Sequence, residues 1–266
     1  MRLDSALVAQ GLARSRNLAQ RQIAAGQVLV NGSVELKASR KITPQDILNL
    51  TATEKYVSRG AYKLLAALQS FELSPAGAYA LDLGASTGGF TQVLLEHGAT
   101  QVAALDVGHN QLAPQLRSDR RVAVIEGFNA RYLDAAKLQE LTGIIARPTL
   151  VVGDLSFISL QHIFPAIAAT AAPDAVVSLL IKPQFEVGAG AVSQGIVTDP
   201  QKRLSAIKQV LEYAAAAGFD TLGVAPSPLQ GTNGNREYLG YWRHSAQPHP
   251  AKWYQQLDTL VLAEEE

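Results

Sequence analysis

Between residues 79 and 243, short apolar segments alternate with helical ones, and this alternation constrains the fold more than any other feature of the chain. Apolar strands separated by helices are typical of a mostly parallel sheet with helices on both faces. The sequence therefore predicts an α/β domain built around one seven-stranded sheet. The predicted strands lie near 79–83, 101–106, 121–125, 149–154, 175–182, 219–225 and 237–243, and the clearest helices lie over 59–70, 88–97, 159–171 and 200–217.

A different pattern occupies the first fifty residues. Two short helices are expected over 3–11 and 15–25, each ended by a glycine. The segment QVLVNGSVEL then alternates around Asn31-Gly32, a dipeptide that strongly favours a β-hairpin, and DILNL supplies a further strand near 46–50. We predict the following organisation: a small α+β domain over 1–52, a linker over 53–58, the α/β domain over 59–246 and a C-terminal helix or tail over 247–266.

The small domain is basic, although the whole chain has a net charge of zero. Residues 1–63 carry ten lysines and arginines against four aspartates and glutamates, which is typical of a module that binds a polyanion. A solvated basic surface without a partner is the alternative. Arg14 and Arg21 are seven positions apart and are expected to share a helical face. The candidate phosphate contacts are Arg14, Arg16, Arg21, Lys37, Arg40, Lys41 and Arg59.

The first strand of the α/β domain leads into the glycine-rich turn ALDLGASTGGF, residues 80–90. Glycines let such a turn bend sharply and approach a ligand closely. The turn has Ser86 where the dinucleotide-binding fingerprint has its middle glycine, and no Gly-Lys-Ser/Thr of a P-loop follows. It resembles motif I of S-adenosylmethionine-dependent methyltransferases. A tight strand-to-helix turn without a ligand is the alternative.

Two further candidates, one at each of the next two strands, complete this cofactor site. Asp106 ends the next strand, where a carboxylate can accept hydrogen bonds from both ribose hydroxyls of an adenosine moiety. Asn129 follows the third strand, where it could meet the adenine edge. The candidate cofactor-binding residues are Asp82, Gly84, Ser86, Thr87, Gly88, Gly89, Phe90, Asp106, Val107, Asn129 and Asp154.

Four ionisable residues lie near the ends of predicted elements: Lys63, Asp154, Lys182 and Glu237. Because ligands of open α/β sheets bind at the carboxyl ends of the strands, we expect Asp154 and Lys182 at the rim of the same crevice. A neutral lysine there could accept the proton of a hydroxyl group. Burial and a second cation lower the pKa of a lysine, whereas carboxylates raise it. Two structural ion pairs are the alternative, but four such residues in this order favour catalysis.

This order of Lys, Asp, Lys and Glu resembles the catalytic tetrad of FtsJ-type RNA ribose 2′-O-methyltransferases. Together with the stretches RLDSALVAQGLARSRNLAQRQIAAGQVLVNG, YVSRGAYKL, DLSFISL, IKPQFEVG and GNREYLGYW, the chain resembles the TlyA family, also called haemolysin-A-like proteins. The resemblance implies a Rossmann-like class I methyltransferase domain behind a ribosomal-protein-S-four-like RNA-binding domain. It also implies methylation of ribose 2′-hydroxyls, typically of cytidines, with S-adenosylmethionine as cofactor and ribosomal RNA or ribosomal subunits as partner.

The chain departs from the family pattern mainly by loss of positive charge. No lysine or arginine lies between Lys182 and Lys202, and Gln230 stands where the family tends to carry a lysine. The family often has Gly-Gly-Leu where this chain has Gly60-Ala61-Tyr62. These departures leave the four candidate catalytic residues in place but remove cations near the presumed RNA entrance.

Other function classes are weakly supported. The chain has no cysteine and no H-E-x-x-H segment, so we expect no metal site. It shows no signal peptide and no apolar run of roughly 18 residues, so we expect a cytoplasmic protein without membrane contact. A membrane-active haemolysin is therefore disfavoured, and a non-catalytic RNA-binding or ribosome assembly factor is the other alternative.

Overall fold

A computed structural model describes residues 1–13, 15–51, 55–188, 195–231 and 234–262, the side chain of Leu262 excepted. The chain divides into two compact units, Met1–Lys55 and Tyr56–Glu266. Parts of the predicted linker over 53–58 and of the predicted C-terminal segment therefore lie outside the described residues. Each unit has its own hydrophobic core.

The first unit is a helix pair on a small antiparallel sheet. Its elements are α1 (Leu3–Ala9), α2 (Arg16–Ala24), β1 (Val28–Val30), β2 (Ser33–Val34) and β3 (Leu48–Leu50), and the strand order is β2-β1-β3. The predicted hairpin is confirmed, because β1 and β2 pair antiparallel and both Asn31 and Gly32 have the positive φ that its tight turn requires. Both helices are shorter than predicted, and Ser15 caps α2 by accepting a hydrogen bond from the Leu18 amide.

The second unit contains the predicted seven-stranded sheet. Its strands are β4 (Tyr79–Leu83), β5 (Gln101–Asp106), β6 (Val122–Glu126), β7 (Leu150–Gly153), β8 (Val176–Ile181), β9 (Phe219–Pro226) and β10 (Tyr238–His244). The order across the sheet is β6-β5-β4-β7-β8-β10-β9, and only β10 runs antiparallel to its neighbours. The chain reverses its direction of winding between β4 and β7, so the carboxyl ends of these two strands border the crevice in which such sheets bind ligands.

Helices cover both faces of this sheet. They are α3 (Ala61–Ser70), α4 (Gly89–Glu96), α5 (Pro114–Arg117), α6 (Ala135–Thr142), α7 (Phe164–Thr170), α8 (Pro183–Glu186), α9 (Pro200–Ala216) and α10 (Tyr254–Leu262), with 3₁₀ turns at Ala130–Tyr132, Leu160–His162 and Pro250–Trp253. Leu81 and Leu83 of β4 pack in one core cluster and Ala80 packs in another. Because successive side chains of a strand point to opposite faces, the sheet is buried on both sides, as its continuous apolar strands predict.

Two helical segments, α7 and α10, differ from the prediction. A single helix over 159–171 is wrong: residues 160–162 form a separate 3₁₀ turn and α7 begins at Phe164. Proline has no N–H and fits only the first turn of a helix, and Pro165 occupies that turn in α7. The helix α10 is part of the second unit, because Leu257 and Val261 are fully buried in its core. Among the described residues, no helix combines the length and the apolar character that a bilayer crossing requires.

Candidate active site

The glycine turn after β4 brings three chain segments into close contact. A Cβ atom on Gly84 would lie 3.0 Å from the carbonyl oxygen of Asp154, so only glycine lets the end of β4 approach the end of β7 this closely. A Cβ on Gly89 would lie 2.1 Å from Ser58 Oγ, just before α3. The turn therefore holds the segment before α3 and the loop after β7 against one edge of the sheet.

Two candidate cofactor residues of this turn lie beneath it instead of facing the crevice. Asp82 is fully buried, and its Oδ2 accepts a hydrogen bond of 2.7 Å from Thr91 Oγ1 in α4. Burial raises the pKa of Asp82 to about 7. Phe90 is buried in a core cluster. Both side chains anchor the first turn of α4, so a direct contact of these side chains with a cofactor, as predicted, does not fit their burial.

Asp106 joins the turns that follow β4 and β5. Its Oδ2 accepts a hydrogen bond of 2.8 Å from the Ser86 amide, and its Oδ1 accepts one of 2.8 Å from the Gly108 amide. The neighbouring Val107 is 62% exposed. A fixed carboxylate next to an exposed apolar side chain matches the ribose and the base of a nucleoside.

The remaining candidates around this crevice are Thr87, Gly88 and Asn129. Gly88 caps α4 in the left-handed conformation with φ of 95°, and the Thr87 carbonyl accepts a hydrogen bond from the Ala113 amide. Asn129 Oδ1 accepts a hydrogen bond of 3.1 Å from the Arg131 amide and so caps the 3₁₀ turn that follows β6. The side-chain oxygen of Asn129 is therefore engaged within the protein, and the side-chain NH2 group is the part that remains for an adenine edge.

Lys63, Asp154, Lys182 and Glu237 form one continuous cluster at the carboxyl edge of the sheet. Lys63 Nζ lies 2.6 Å from Glu237 Oε2 and 3.1 Å from Asp154 Oδ2. Lys182 Nζ lies 2.7 Å from the other oxygen of Asp154, Oδ1. Asp154 thus bridges the two lysines, and residues from four separate parts of the chain meet within ion-pair distance.

In this cluster, burial and the neighbouring charges have opposite effects on the pKa values. The Lys63 and Lys182 side chains are 10% and 8% exposed, so Lys182 lies deeper than the crevice rim where it was predicted. Burial alone would lower the pKa of Lys63, but the charges and hydrogen bonds of Asp154 and Glu237 together raise it above its usual value. Burial likewise acts against the charged form of Asp154, and the two lysines nevertheless hold the pKa of Asp154 below its usual value. The raised pKa keeps Lys63 in its charged form near neutral pH.

Glu237 depends on a glycine that the sequence did not single out. A Cβ atom on Gly231 would lie 2.0 Å from Glu237 Oε1, inside the space that the carboxylate occupies. The Glu237 side chain is only 2% exposed and ends 2.6 Å from Lys63 Nζ, so it has little room to move away. Gly231 therefore makes space for the carboxylate, a function that only the three-dimensional contact reveals.

The loop after β7 contributes two further residues that were not predicted. Ser156 Oγ accepts a hydrogen bond of 2.9 Å from Lys182 Nζ. Phe157 has a positive φ of 62° and is 91% exposed, and its ring centroid lies 5.2 Å from that of Phe185 in α8. Serine and phenylalanine after a strand are too common to attract attention, although their position directly behind Asp154 was the available signal.

The candidate phosphate contacts of the first unit differ in how freely they can bind. Arg16 lies 3.1 Å from the buried Asp4, whose hydrogen bonds with Arg2, Gln20 and Arg16 hold the pKa of Asp4 well below its usual range. Arg40 is paired with Glu35 at 2.7 Å. Both arginines therefore have structural partners, which the sequence reasoning overlooked.

Three other cations of the first unit keep their charge available. The exposed side chains of Arg21, Lys37 and Lys41 form no ion pair within the described part of the chain. Arg59, in the second unit, is also exposed. Arg14 lies outside the described residues, and with it the predicted helical face that it shares with Arg21.

Comparisons with known proteins cover both units. The FtsJ-like methyltransferase family model matches residues 56–243, and the S4 domain model matches residues 1–48. The chain is 46% identical over 245 residues to the 16S/23S rRNA (cytidine-2′-O)-methyltransferase TlyA of Mycobacterium tuberculosis, which is 91% of this chain and 89% of the relative. The solved structure of a haemolysin-type protein from Streptococcus thermophilus matches with a TM-score of 0.76 and 36% identity, over 100% of this chain and 98% of that one.

A more distant structure identifies the fold of the second unit. An S-adenosylmethionine-dependent methyltransferase from Listeria monocytogenes matches with a TM-score of 0.52 at 13% identity, over 70% of this chain and 98% of that one. At that identity the likeness concerns the fold alone. The predicted Rossmann-like methyltransferase fold with a small N-terminal domain is confirmed.

Proposed function

The chain belongs to the TlyA family, and from that premise we propose that it transfers the methyl group of S-adenosylmethionine to ribose 2′-hydroxyls of ribosomal RNA, cytidines in particular. The observation that carries the proposal is the buried cluster of Lys63, Asp154, Lys182 and Glu237 at the carboxyl ends of the strands. Burying two lysines and the Glu237 carboxylate around the partly exposed Asp154 is costly, and an arrangement of this kind is expected where chemistry requires it.

The crevice beside the glycine turn suits the proposed cofactor. Asp106 presents a carboxylate fixed by two backbone amides, which can accept hydrogen bonds from the ribose hydroxyls of an adenosine. Val107 offers an exposed apolar side chain beside it for the adenine ring, and Gly84 leaves the turn without a side chain where the strands β4 and β7 end. When bound, S-adenosylmethionine supplies an electrophilic methyl group.

The cluster then assigns different tasks to its two lysines. Lys63 contacts two carboxylates, which keep it charged, so it cannot accept a proton and instead fixes Asp154. Lys182 contacts one carboxylate oxygen and the hydroxyl of Ser156, and in its neutral form it has a lone pair to offer. Neutral Lys182 Nζ would accept the proton of the attacking 2′-hydroxyl while the methyl group moves from the sulfonium sulfur to the ribose oxygen, which would leave S-adenosylhomocysteine as the second product.

The target nucleotide needs a surface of its own. The exposed Phe157 ring lies three residues after Asp154 and is supported by Phe185, so it can stack on the base whose ribose reaches Lys182. In the first unit, the exposed Arg21, Lys37 and Lys41 supply charge for phosphates, and that unit has no aromatic side chain for base stacking. The first unit is therefore proposed to bind structured RNA through its backbone. A ribosomal RNA substrate and the family relationship support a proposed location in the cytoplasm.

The test is methyl transfer by the purified full-length chain. Labelled S-adenosylmethionine is incubated with small ribosomal subunits, large ribosomal subunits and their naked RNAs, and the product is mapped for 2′-O-methylated cytidine. Transfer to one or both subunits at discrete nucleotides is expected. Cofactor binding without any transfer would contradict the proposal, and RNA binding under the same conditions would then favour a non-catalytic assembly factor.

A further inference from the structure

The catalytic amine has a neighbour outside the four charged residues. Lys182 Nζ donates a hydrogen bond of 2.9 Å to Ser156 Oγ, and the same nitrogen lies 2.7 Å from Asp154 Oδ1. The Lys182 side chain is 8% exposed, whereas Ser156 is an exposed residue. The serine hydroxyl therefore lies between the buried amine and the open side of the crevice.

The geometry of an amine gives this contact a consequence. A lysine ammonium has three N–H groups in a tetrahedral arrangement. Ser156 fixes one of these directions through a hydrogen bond, the Asp154 carboxylate lies 2.7 Å from Nζ as an ion pair without hydrogen-bond alignment, and a direction on the side away from both is left for a substrate. When the proton on that side has left, the lone pair of the neutral amine points in the same direction. With Asp154 alone, the amine could rotate and point its lone pair elsewhere.

The loop that carries Ser156 is held in place by α8, the helix that begins directly after Lys182. Ser159 Oγ donates a hydrogen bond of 2.6 Å to Glu186 Oε2, and the Leu160 amide donates one of 3.0 Å to Oε1 of the same carboxylate. The ring of Phe157, in the same loop, also packs on the ring of Phe185 in α8, with the ring centroids 5.2 Å apart. Ser156 and Lys182 are thus fixed relative to each other by contacts on either side.

From this juxtaposition we infer that Ser156 is a positioning residue: its Oγ holds Lys182 Nζ so that the free position of the amine faces the ribose 2′-hydroxyl. The inference rests on the proposed function and adds a residue to it. Ser156 itself does not exchange a proton with the substrate. Its loss should reduce the rate of the chemical step and leave the binding of cofactor and RNA unchanged.

The experiment compares Ser156→Ala and Ser156→Thr with the wild-type chain on ribosomal subunits. Ser156→Ala should lower kcat about tenfold, the effect expected from one orienting hydrogen bond, with KM for RNA and the cofactor Kd within about twofold. Ser156→Thr keeps the hydroxyl, and its extra methyl group has space because the residue is exposed, so it should restore most of the activity. The matched control is Ser118→Ala, since within the described residues the hydroxyl of the exposed Ser118 donates to the carbonyl of Gln115 in α5.

The outcomes separate this inference from the proposed function. Wild-type activity with an equally active Ser156→Ala variant would overturn the inference alone. So would a loss of cofactor affinity that parallels the loss of kcat, because that result indicates a purely structural role, and so would a threonine variant no better than alanine. A wild-type chain that binds cofactor but transfers no methyl group would refute the proposed function itself.

Discussion

Replacing Glu237 by glutamine removes one charge from the buried cluster and leaves the shape of the side chain almost unchanged. Glu237 Oε2 lies 2.6 Å from Lys63 Nζ, and the two side chains are 2% and 10% exposed. At this separation and an effective dielectric constant of about 20, the attraction amounts to roughly 6 kcal/mol before any desolvation cost is subtracted. After the substitution, Lys63 and Lys182 share the single carboxylate of Asp154.

The expected loss of stability is smaller than the attraction, because a neutral glutamine is cheaper to bury than a charged glutamate. Removing one partner of a buried ion pair typically costs about 3–5 kcal/mol, and the amide oxygen of glutamine keeps a hydrogen-bond acceptor, so we expect about 3 kcal/mol. Lys63 has a raised pKa, so the stability that the pair contributes is fully present below the usual lysine pKa of 10.5. It is lost as the pH rises through the pKa of folded Lys63. The difference between variant and wild type should therefore be constant near pH 7 to 9 and shrink in stronger base.

Urea unfolding followed by tryptophan fluorescence measures this loss in the right part of the chain. The chain has two tryptophans, Trp242 and Trp253, and both belong to the second unit. The matched control is Glu140→Gln, which removes the same charge from an exposed pair with Lys137 at 2.5 Å. That control should cost less than about 0.5 kcal/mol. Equal effects of the two substitutions would refute the argument that burial gives the Glu237 pair its weight.

Three further predictions concern the turn before Glu237, the buried aspartate and the basic unit. Gly231→Ala should displace the Glu237 carboxylate and lower methyl transfer at least tenfold with unchanged RNA affinity; transfer at the wild-type rate would show that the carboxylate can move aside. Asp82 has a pKa raised to about 7, so its own contribution to stability should be lost as the pH rises from about 4 to 7, and the stability of the wild type relative to Asp82→Asn in urea titrations should fall over that range; a constant difference would contradict it. Charge reversal of Arg21 and Lys41 together should weaken RNA binding and reduce the slope of log affinity against log salt by roughly 2, whereas an unchanged slope would exclude both from the interface.

The parts of this protein that sequence could predict are those that local rules decide. The seven strands follow from continuous apolar runs, and the hairpin follows from Asn31-Gly32, whose backbone conformation few other residue pairs adopt. The meeting of Asp154 and Lys182 follows from a topological rule, because the carboxyl ends of parallel strands share one edge of the sheet. That rule does not cover Lys63, in α3, or Glu237, which precedes the antiparallel β10; both were expected there from the order of the four residues.

The features that sequence could not predict depend on contacts between distant residues. The sequence does not show that Arg16 pairs with Asp4, 12 residues away, or that Arg40 pairs with Glu35, 5 residues away, and each partner removes part of the charge available for RNA. Asp82 resembled a ligand of the cofactor because of its place in the glycine motif, but in a strand alternate residues point away from the ligand side, and Asp82 turns toward Thr91. The role of Ser156 depends on a distance of 2.9 Å to Lys182 Nζ, and that of Gly231 on the absence of a Cβ atom, which would lie 2.0 Å from Glu237 Oε1.

The central claim is that Lys182 takes the proton of the ribose hydroxyl, and single-turnover methyl transfer by Lys182→Ala tests it most directly. Wild type and variant are first saturated with S-adenosylmethionine, and the cofactor Kd of each is measured in parallel, with the partly exposed Lys208→Ala as control. The account predicts a loss of at least about a thousandfold in the rate of transfer to ribosomal subunits, with a cofactor Kd within about twofold of wild type. Transfer by Lys182→Ala at a rate close to that of the wild type would contradict it.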